Sequence, residues 1–151
     1  MKDSKVWNAA QKAFARGAAY AGCSAGAMIL AKKIPGMRFA GFGSLNGFGI
    51  VPATYVIPHY DAIPGVWRPI ILALRRALDD GEIMLGVDEN TALVGRPDEE
   101  WRVMGQGKVH VMKRDGEKAY SAGETFLLYA PAAVIGGGDA AGSERLEQRN
   151  S

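Results

Sequence analysis

Gly22-Cys23-Ser24-Ala25-Gly26 stands between the short apolar run Ala18 to Ala21 and the helix-like stretch Ala25 to Lys33. Read as strand, sharp turn and helix, this is the setting in which a G-x-S-x-G motif becomes a nucleophile elbow. Glycine fits two residues either side of the serine because the turn crowds the backbone. A Cβ at either position is expected to strike the neighbouring strand or helix. The hydroxyl then projects from the turn, and the backbone N–H of Ala25, at a helix N-terminus, faces a developing oxyanion. Ser24 is therefore the leading candidate nucleophile, with the Ala25 N–H as oxyanion donor. The same Gly/Ala/Ser string also suits a helix packed tightly on a sheet with no chemistry at all, so the downstream residues decide.

The chain has 151 residues, 48% hydrophobic and 23% charged, which suits a single domain over 1–151 built on one core. A net charge of +2, with basic residues scattered among acidic ones, leaves no electrostatic footprint for nucleic acid or an anionic membrane. No apolar run approaches a membrane span, and Met1-Lys2-Asp3-Ser4-Lys5 leads into alternation instead of an apolar secretory core, so the expected location is cytoplasmic. One cysteine excludes an internal disulfide framework. Two histidines beside that cysteine leave little for a zinc site, and neither metal nor cofactor is expected.

Asp3 or Ser4 is placed to cap a first helix through about Arg16, with Val6, Ala10, Ala13 and Phe14 on one stripe and Gly17 as terminator. After the elbow, Pro35-Gly36 ends the second helix. The loop Gly41-Phe42-Gly43-Ser44-Leu45-Asn46-Gly47-Phe48-Gly49 precedes the apolar run Ile50 to Ile57. A strand after that loop, where a helix would be required, argues against a phosphate-binding G-x-G-x-x-G. Trp67 to Asp80 is the clearest helix, with Trp67, Ile70, Ile71, Leu74 and Leu78 on one face and Arg68, Arg75, Arg76 and Asp79 on the other, closed by Gly81. Glu82 to Val87 is predicted as a strand, and Thr91 to Val94 as its hairpin or continuation. From Trp101 the pattern is alternation, with Val103, Gly105, Gly107, Val109 and Val111 opposite Arg102, Gln106, Lys108 and His110. Helix-and-strand units thus give way to a β-rich end, followed by a loose tail over about 130–151.

A serine hydroxyl needs a base, and the base needs a group that fixes its orientation. His59, in Ile57-Pro58-His59-Tyr60-Asp61, follows an apolar strand and is expected at the rim of an α/β sheet. His110 falls within the alternating segment on its polar face, the commoner fate of a histidine, which leaves His59 as the expected base. For the third group, Gly86-Val87-Asp88-Glu89-Asn90 offers two carboxylates at the end of the next strand. Asp88 and Asn90 are natural turn residues, so Glu89 is the better candidate.

These segments together resemble the peptidase E and cyanophycinase family of serine peptidases. The matching motifs are Gly22-Cys23-Ser24-Ala25-Gly26-Ala27, then Gly47-Phe48-Gly49-Ile50-Val51-Pro52 leading to Pro58-His59-Tyr60-Asp61, then Gly86-Val87-Asp88-Glu89-Asn90-Thr91-Ala92-Leu93, and Trp101-Arg102-Val103-Met104-Gly105-Gln106-Gly107. Their order fits from about residue 4 to residue 128. The resemblance implies a three-layer α/β sandwich around a mostly parallel sheet, similar to class I glutamine amidotransferases, with a hairpin-rich C-terminal end. It also implies a Ser24-His59-Glu89 triad. Cysteine is the elbow nucleophile in the related amidotransferases, but Gly22 and Gly26 frame position 24, so Cys23 is expected to be structural.

The same family carries a further N-terminal stretch of parallel strands and helices, ending in a Gly-Gly loop that supplies a second oxyanion donor. Because the first helix here is the one expected to precede the elbow strand directly, that stretch is expected to be absent. The expectation is a sheet with one uncovered edge, which a second copy or a partner chain would cover. The resemblance implies hydrolysis of short aspartyl or aspartate-arginine peptides. A substrate carboxylate calls for a buried cation, for which Arg68 and Arg75 are candidates, although the amphipathic pattern favours a solvated helix face for both. The alternative is a shortened family member, weak or inactive, that serves as an assembly subunit. A third reading makes Cys23 the nucleophile of an amidotransferase-like domain.

Overall fold

A computed structural model describes residues 4–36, 44–97 and 99–128. Helix α1 (Lys5–Ala15) starts where the Ser4 hydroxyl accepts the Trp7 N–H at 3.1 Å, and it stops at Gly17, whose φ of +96° suits glycine. The buried residue of this helix is Trp7, whereas Val6 is 80% exposed, so the predicted stripe is rotated. The cause is aromatic. Trp7 stacks on Phe48 with ring centroids 3.5 Å apart, and Tyr20 closes edge-on against it.

Ala18 to Cys23 runs without regular structure, not as the predicted strand, because none of the described strands pairs with it. Helix α2 (Ala25–Met28) is one turn long, where a helix to Lys33 is predicted. Tertiary hydrogen bonds end it early. The carbonyls of Ile29, Leu30 and Ala31 accept the N–H groups of Phe48, Ile50 and Gly49, so the glycine-bearing loop does what further helical turns would otherwise do. Gly47 is required there, since a Cβ would lie 2.1 Å from the Ala31 carbonyl oxygen. The chain leaves this turn as β1 (Lys33–Pro35), which pairs antiparallel with β2 (Ser44–Asn46). The first residues of the glycine-rich loop, 41–43, and the tail from 129 lie outside the described residues.

Strand β3 (Tyr55–Pro58) covers only the end of the predicted Ile50 to Ile57 run. After two single 3₁₀ turns, Tyr60–Ala62 and Gly65–Trp67, helix α3 (Arg68–Arg76) crosses over to β4 (Met84–Val87). A crossover of this length brings β3 and β4 together in parallel. The remaining connections are too short for that. Asp88 to Asn90 leads at once into β5 (Thr91–Val94), which pairs antiparallel with β6 (Glu100–Gly105). The alternating segment is broken at Gln106-Gly107, and β7 (Lys108–Met112) moves to the first sheet, antiparallel to β4. Strand β8 (Glu117–Ser121) pairs with β7, and β9 (Thr125–Leu127) with β6.

Among the described residues this gives sheets in the orders β3-β4-β7-β8, β5-β6-β9 and β1-β2, with β3–β4 as the one parallel pairing. The fold is α/β with mixed sheets and few helices, and the mostly parallel sheet is not what these residues form. The β3–β4 half of the four-stranded sheet is buried on both faces, which explains why these two strands are almost continuously apolar, whereas β7 keeps Lys108 and His110 and β8 is largely exposed. Tyr55, Ile57, Met84 and Met112 pack toward Ile71, Leu74 and Leu78 of the α3 side. Val56, Leu85 and Val109 pack toward Trp101, Val103 and Phe126 of the β5-β6-β9 sheet, with Ala27 of α2 beside them.

Candidate active site

Ser24 sits between the irregular Ala18–Cys23 segment and α2 with φ 50° and ψ −123°, a conformation L-residues rarely adopt. Strain of that kind costs on the order of 1–3 kcal/mol and persists only where the surrounding structure enforces it. Part of the enforcement is Gly22. A Cβ there would lie 2.3 Å from the Gly26 carbonyl oxygen and 3.0 Å from the Ala27 nitrogen. Gly26 differs from the expectation, because a Cβ on it meets nothing within 4 Å. Within the turn, Gly26 N–H binds the Cys23 carbonyl and Ala27 N–H binds the Ser24 carbonyl, while the Ala25 N–H takes no part.

His59 follows β3 directly and has φ 146°, a second strained non-glycine position. Its Nδ1 lies 3.8 Å from Glu89 Oε1, with both side chains about half exposed. Ser24, His59 and Glu89 line one open cleft of about 1310 Å³, whose walls also include Val56, Leu85, Trp101 and Met104. The Ser24 hydroxyl caps no helix, and among the described residues no hydrogen bond joins it to His59. The exposed thiol of Cys23 lines the same cleft.

The loop that carries Glu89 is held from several directions. Asp88 is no self-bonded turn residue. Its Oδ2 accepts the Lys108 N–H at 2.9 Å, and its Oδ1 lies 3.3 Å from His110 Nε2 without a hydrogen bond. Asn90 takes the left-handed conformation with φ 53°. Gly105, with φ +111°, and Gly107 let β6 and β7 pass close behind: a Cβ at the first would lie 2.1 Å from Asn90 oxygen, and at the second 2.7 Å from Thr91 Oγ1. Each glycine of the Gly105-Gln106-Gly107 motif therefore has a steric reason.

His110 is partly buried on the α3 side of the sheet. Its Nδ1 is 2.9 Å from Glu117 Oε1, and its ring packs 4.6 Å from that of Tyr60. Tyr60 in turn covers Gly86, where a Cβ would lie 2.6 Å from the phenol ring. Burial pushes the Tyr60 hydroxyl pKa up, and the Glu117 carboxylate adds to the effect.

Neither arginine considered for substrate recognition reaches the Ser24 cleft. Arg75 donates from Nε to the Lys113 carbonyl at 2.7 Å and lies 3.5 Å from Glu117, which fastens α3 to the β7–β8 hairpin. Arg68 lines a separate cavity of about 250 Å³ with Tyr60 and Met112. The basic side chain on the cleft wall is Arg96, 3.5 Å from Glu99. Sequence reading missed it because nothing in the Gly95-Arg96-Pro97 turn marks it out.

A sequence model of peptidase family S51 matches residues 1–102. The chain belongs to that family. No curated protein matches it. Among solved structures, a peptidase from an acI-B1 Actinobacterium is similar, with a TM-score of 0.68 and 36% sequence identity over 83% of this chain. The match covers 52% of the other chain, so this S51 sequence spans about half the length of that peptidase. No helix among the described residues is long and apolar enough to cross a membrane.

Proposed function

We propose that this S51 chain is a serine-type hydrolase acting on peptide bonds. Ser24 Oγ attacks the carbonyl carbon, His59 takes the hydroxyl proton and returns it to the leaving amine, Glu89 orients His59, and the Ala25 N–H stabilises the oxyanion. The observation that carries the reading is the strained Ser24 turn opening onto the same cleft as the His59–Glu89 pair. Substrates are short peptides with an aspartyl residue or aspartate-arginine units. Arg96 is the cleft group suited to a substrate carboxylate, and Arg96→Ala is expected to raise KM for such peptides roughly two- to fivefold with little change in kcat, as for an exposed charge pair.

Labelling with a fluorophosphonate tests the nucleophile. Wild type should react and Ser24→Ala should not. Reaction that persists in Ser24→Ala and disappears in Cys23→Ala would transfer the role to Cys23.

A second reading is favoured by one observation, the absence of any strand paired with Ala18 to Cys23 among the described residues. In it the chain is an assembly subunit of low or no activity. A second copy or a partner chain would lay a strand beside Ala18 to Cys23 and extend the β3–β4 parallel direction into the three-layer, amidotransferase-like sandwich. Tight association without turnover would favour this reading over the first.

A further inference from the structure

The His59–Glu89 pair has an unusual weakness for a catalytic couple. Both side chains are about half exposed and their nearest atoms are 3.8 Å apart. A contact this long between exposed side chains holds its partners poorly, because it exceeds hydrogen-bond range, water competes for both groups and both side chains keep much of their rotamer freedom. The orientation therefore has to come from the backbone that carries them.

That backbone is pinned at Glu89 itself. Its N–H donates to Asp61 Oδ1 at 2.8 Å, and its carbonyl accepts the Thr91 hydroxyl at 3.0 Å. Thr91 Oγ1 in turn accepts the Gly107 N–H at 2.9 Å, so the carbonyl side of the clasp is anchored in the β6–β7 turn. The N–H side is anchored somewhere else. Asp61 lies in the Tyr60–Ala62 turn, two residues after His59, and that turn is closed by the Ala62 N–H on the His59 carbonyl. One carboxylate thus ties the loop after β3, which bears His59, to the loop after β4, which bears Glu89, across 28 residues of sequence. A charged acceptor makes this bond shorter and stronger than a neutral one.

We infer that Asp61 is a positioning residue: by holding the Glu89 backbone N–H it fixes the separation of Glu89 from His59 and so the orientation of the base. The inference rests on the hydrolase reading, and it assigns a role to the last residue of the Pro58-His59-Tyr60-Asp61 motif that its surface exposure alone would not suggest. A displacement of about 1 Å in a catalytic group costs on the order of a hundredfold in rate, which sets the scale of the effect.

The test uses the full chain and two readouts: the second-order rate of fluorophosphonate labelling at Ser24, and the hydrogen exchange of the Glu89 amide. Asp61→Ala is expected to slow labelling roughly 10- to 100-fold and to speed Glu89 exchange. Asp61→Asn, which keeps an acceptor oxygen, should restore both to within about threefold of wild type. In a Glu89→Gln background, Asp61→Ala should add less than about a twofold effect, because the group it positions is already lost. An equal slowing in both backgrounds would overturn the inference, as would unchanged Glu89 exchange in Asp61→Ala. Wild type that never labels, combined with Glu89 exchange that responds to Ala and not to Asn, would remove the hydrolase reading and leave the clasp in place.

Discussion

Gly22 and Gly26 frame Ser24 symmetrically in the sequence, and the fold treats them differently. A methyl group on Gly22 would run into the Gly26 carbonyl, which is backbone and has nowhere to go. Gly22→Ala is expected to destabilise by roughly 1–3 kcal/mol and to abolish Ser24 labelling. Gly26 sits inside α2 with open space around its missing Cβ. Gly26→Ala is expected to stabilise by about 0.5–1 kcal/mol through lower unfolded-state entropy. Urea midpoints of the two variants check this pair, and equal losses would mean that the elbow is not packed as described. At this scale the sequence could nominate Ser24, His59 and Glu89, because a G-x-S-x-G pattern, a histidine after an apolar strand and a carboxylate after the next strand are local signals. It could not carry distances. That Glu89 and not Asp88 faces His59 depends on Lys108 and His110 claiming Asp88, and both belong to a strand some 20 residues away.

Among the elements, α1 departs most from its amphipathic reading. The helix docks through one aromatic side chain, so Trp7→Ala, which removes the Phe48 stack and leaves a void, is expected to cost about 3–5 kcal/mol. Val6→Ser, at a site 80% exposed, should stay within about 0.5 kcal/mol. Thermal melts that rank these two the other way would restore the Val6 stripe. The link between β1 and the turn after α3 makes a pH-dependent prediction. Burial raises the Glu82 carboxyl, but the Asp79 N–H at 3.0 Å and the nearby Lys33 and Lys32 ammonium groups outweigh it, and its pKa lies below the ordinary value. A depressed carboxyl stabilises the fold fully above its unfolded pKa, and that contribution is lost as pH falls through the lower folded value. Glu82→Gln should therefore lower stability at neutral pH and flatten the acid limb of a stability profile below about pH 4.3, the usual range for a glutamate.

For the whole molecule, the segment Ala18 to Cys23 is the place where a further strand can pair. The carbonyls and N–H groups from Ala19 to Gly22 make no backbone hydrogen bonds among the described residues, although the segment leads straight into the strained serine. In the isolated chain those amides are expected to exchange with solvent within seconds, with protection rising by orders of magnitude in a complex that adds a strand there. Hydrogen exchange measured across a sizing-column profile checks it. Protection in a proven monomer would refute the strand-addition model.

Local patterning determined the family, the order of elements from β3 through α3 and β4 to β5, the β character of the segment after Trp101, and the candidate nucleophile, base and orienting acid. The break between β6 and β7 and the strands β8 and β9 were not legible in it. Period, turn residues and glycines report on neighbours that are close in sequence. Tertiary structure alone decided the sheet. Whether a strand pairs in parallel depends on whether its connection is long enough to cross over, and among the described residues the link through α3 is the one that does. It also decided how far α2 runs, because the Phe48–Ile50 amides compete for its carbonyls, and which carboxylates stand behind Glu89, because Asp61 arrives there from another loop. Such long-range hydrogen bonds leave no period in the sequence, since the partners are fixed by packing and not by spacing.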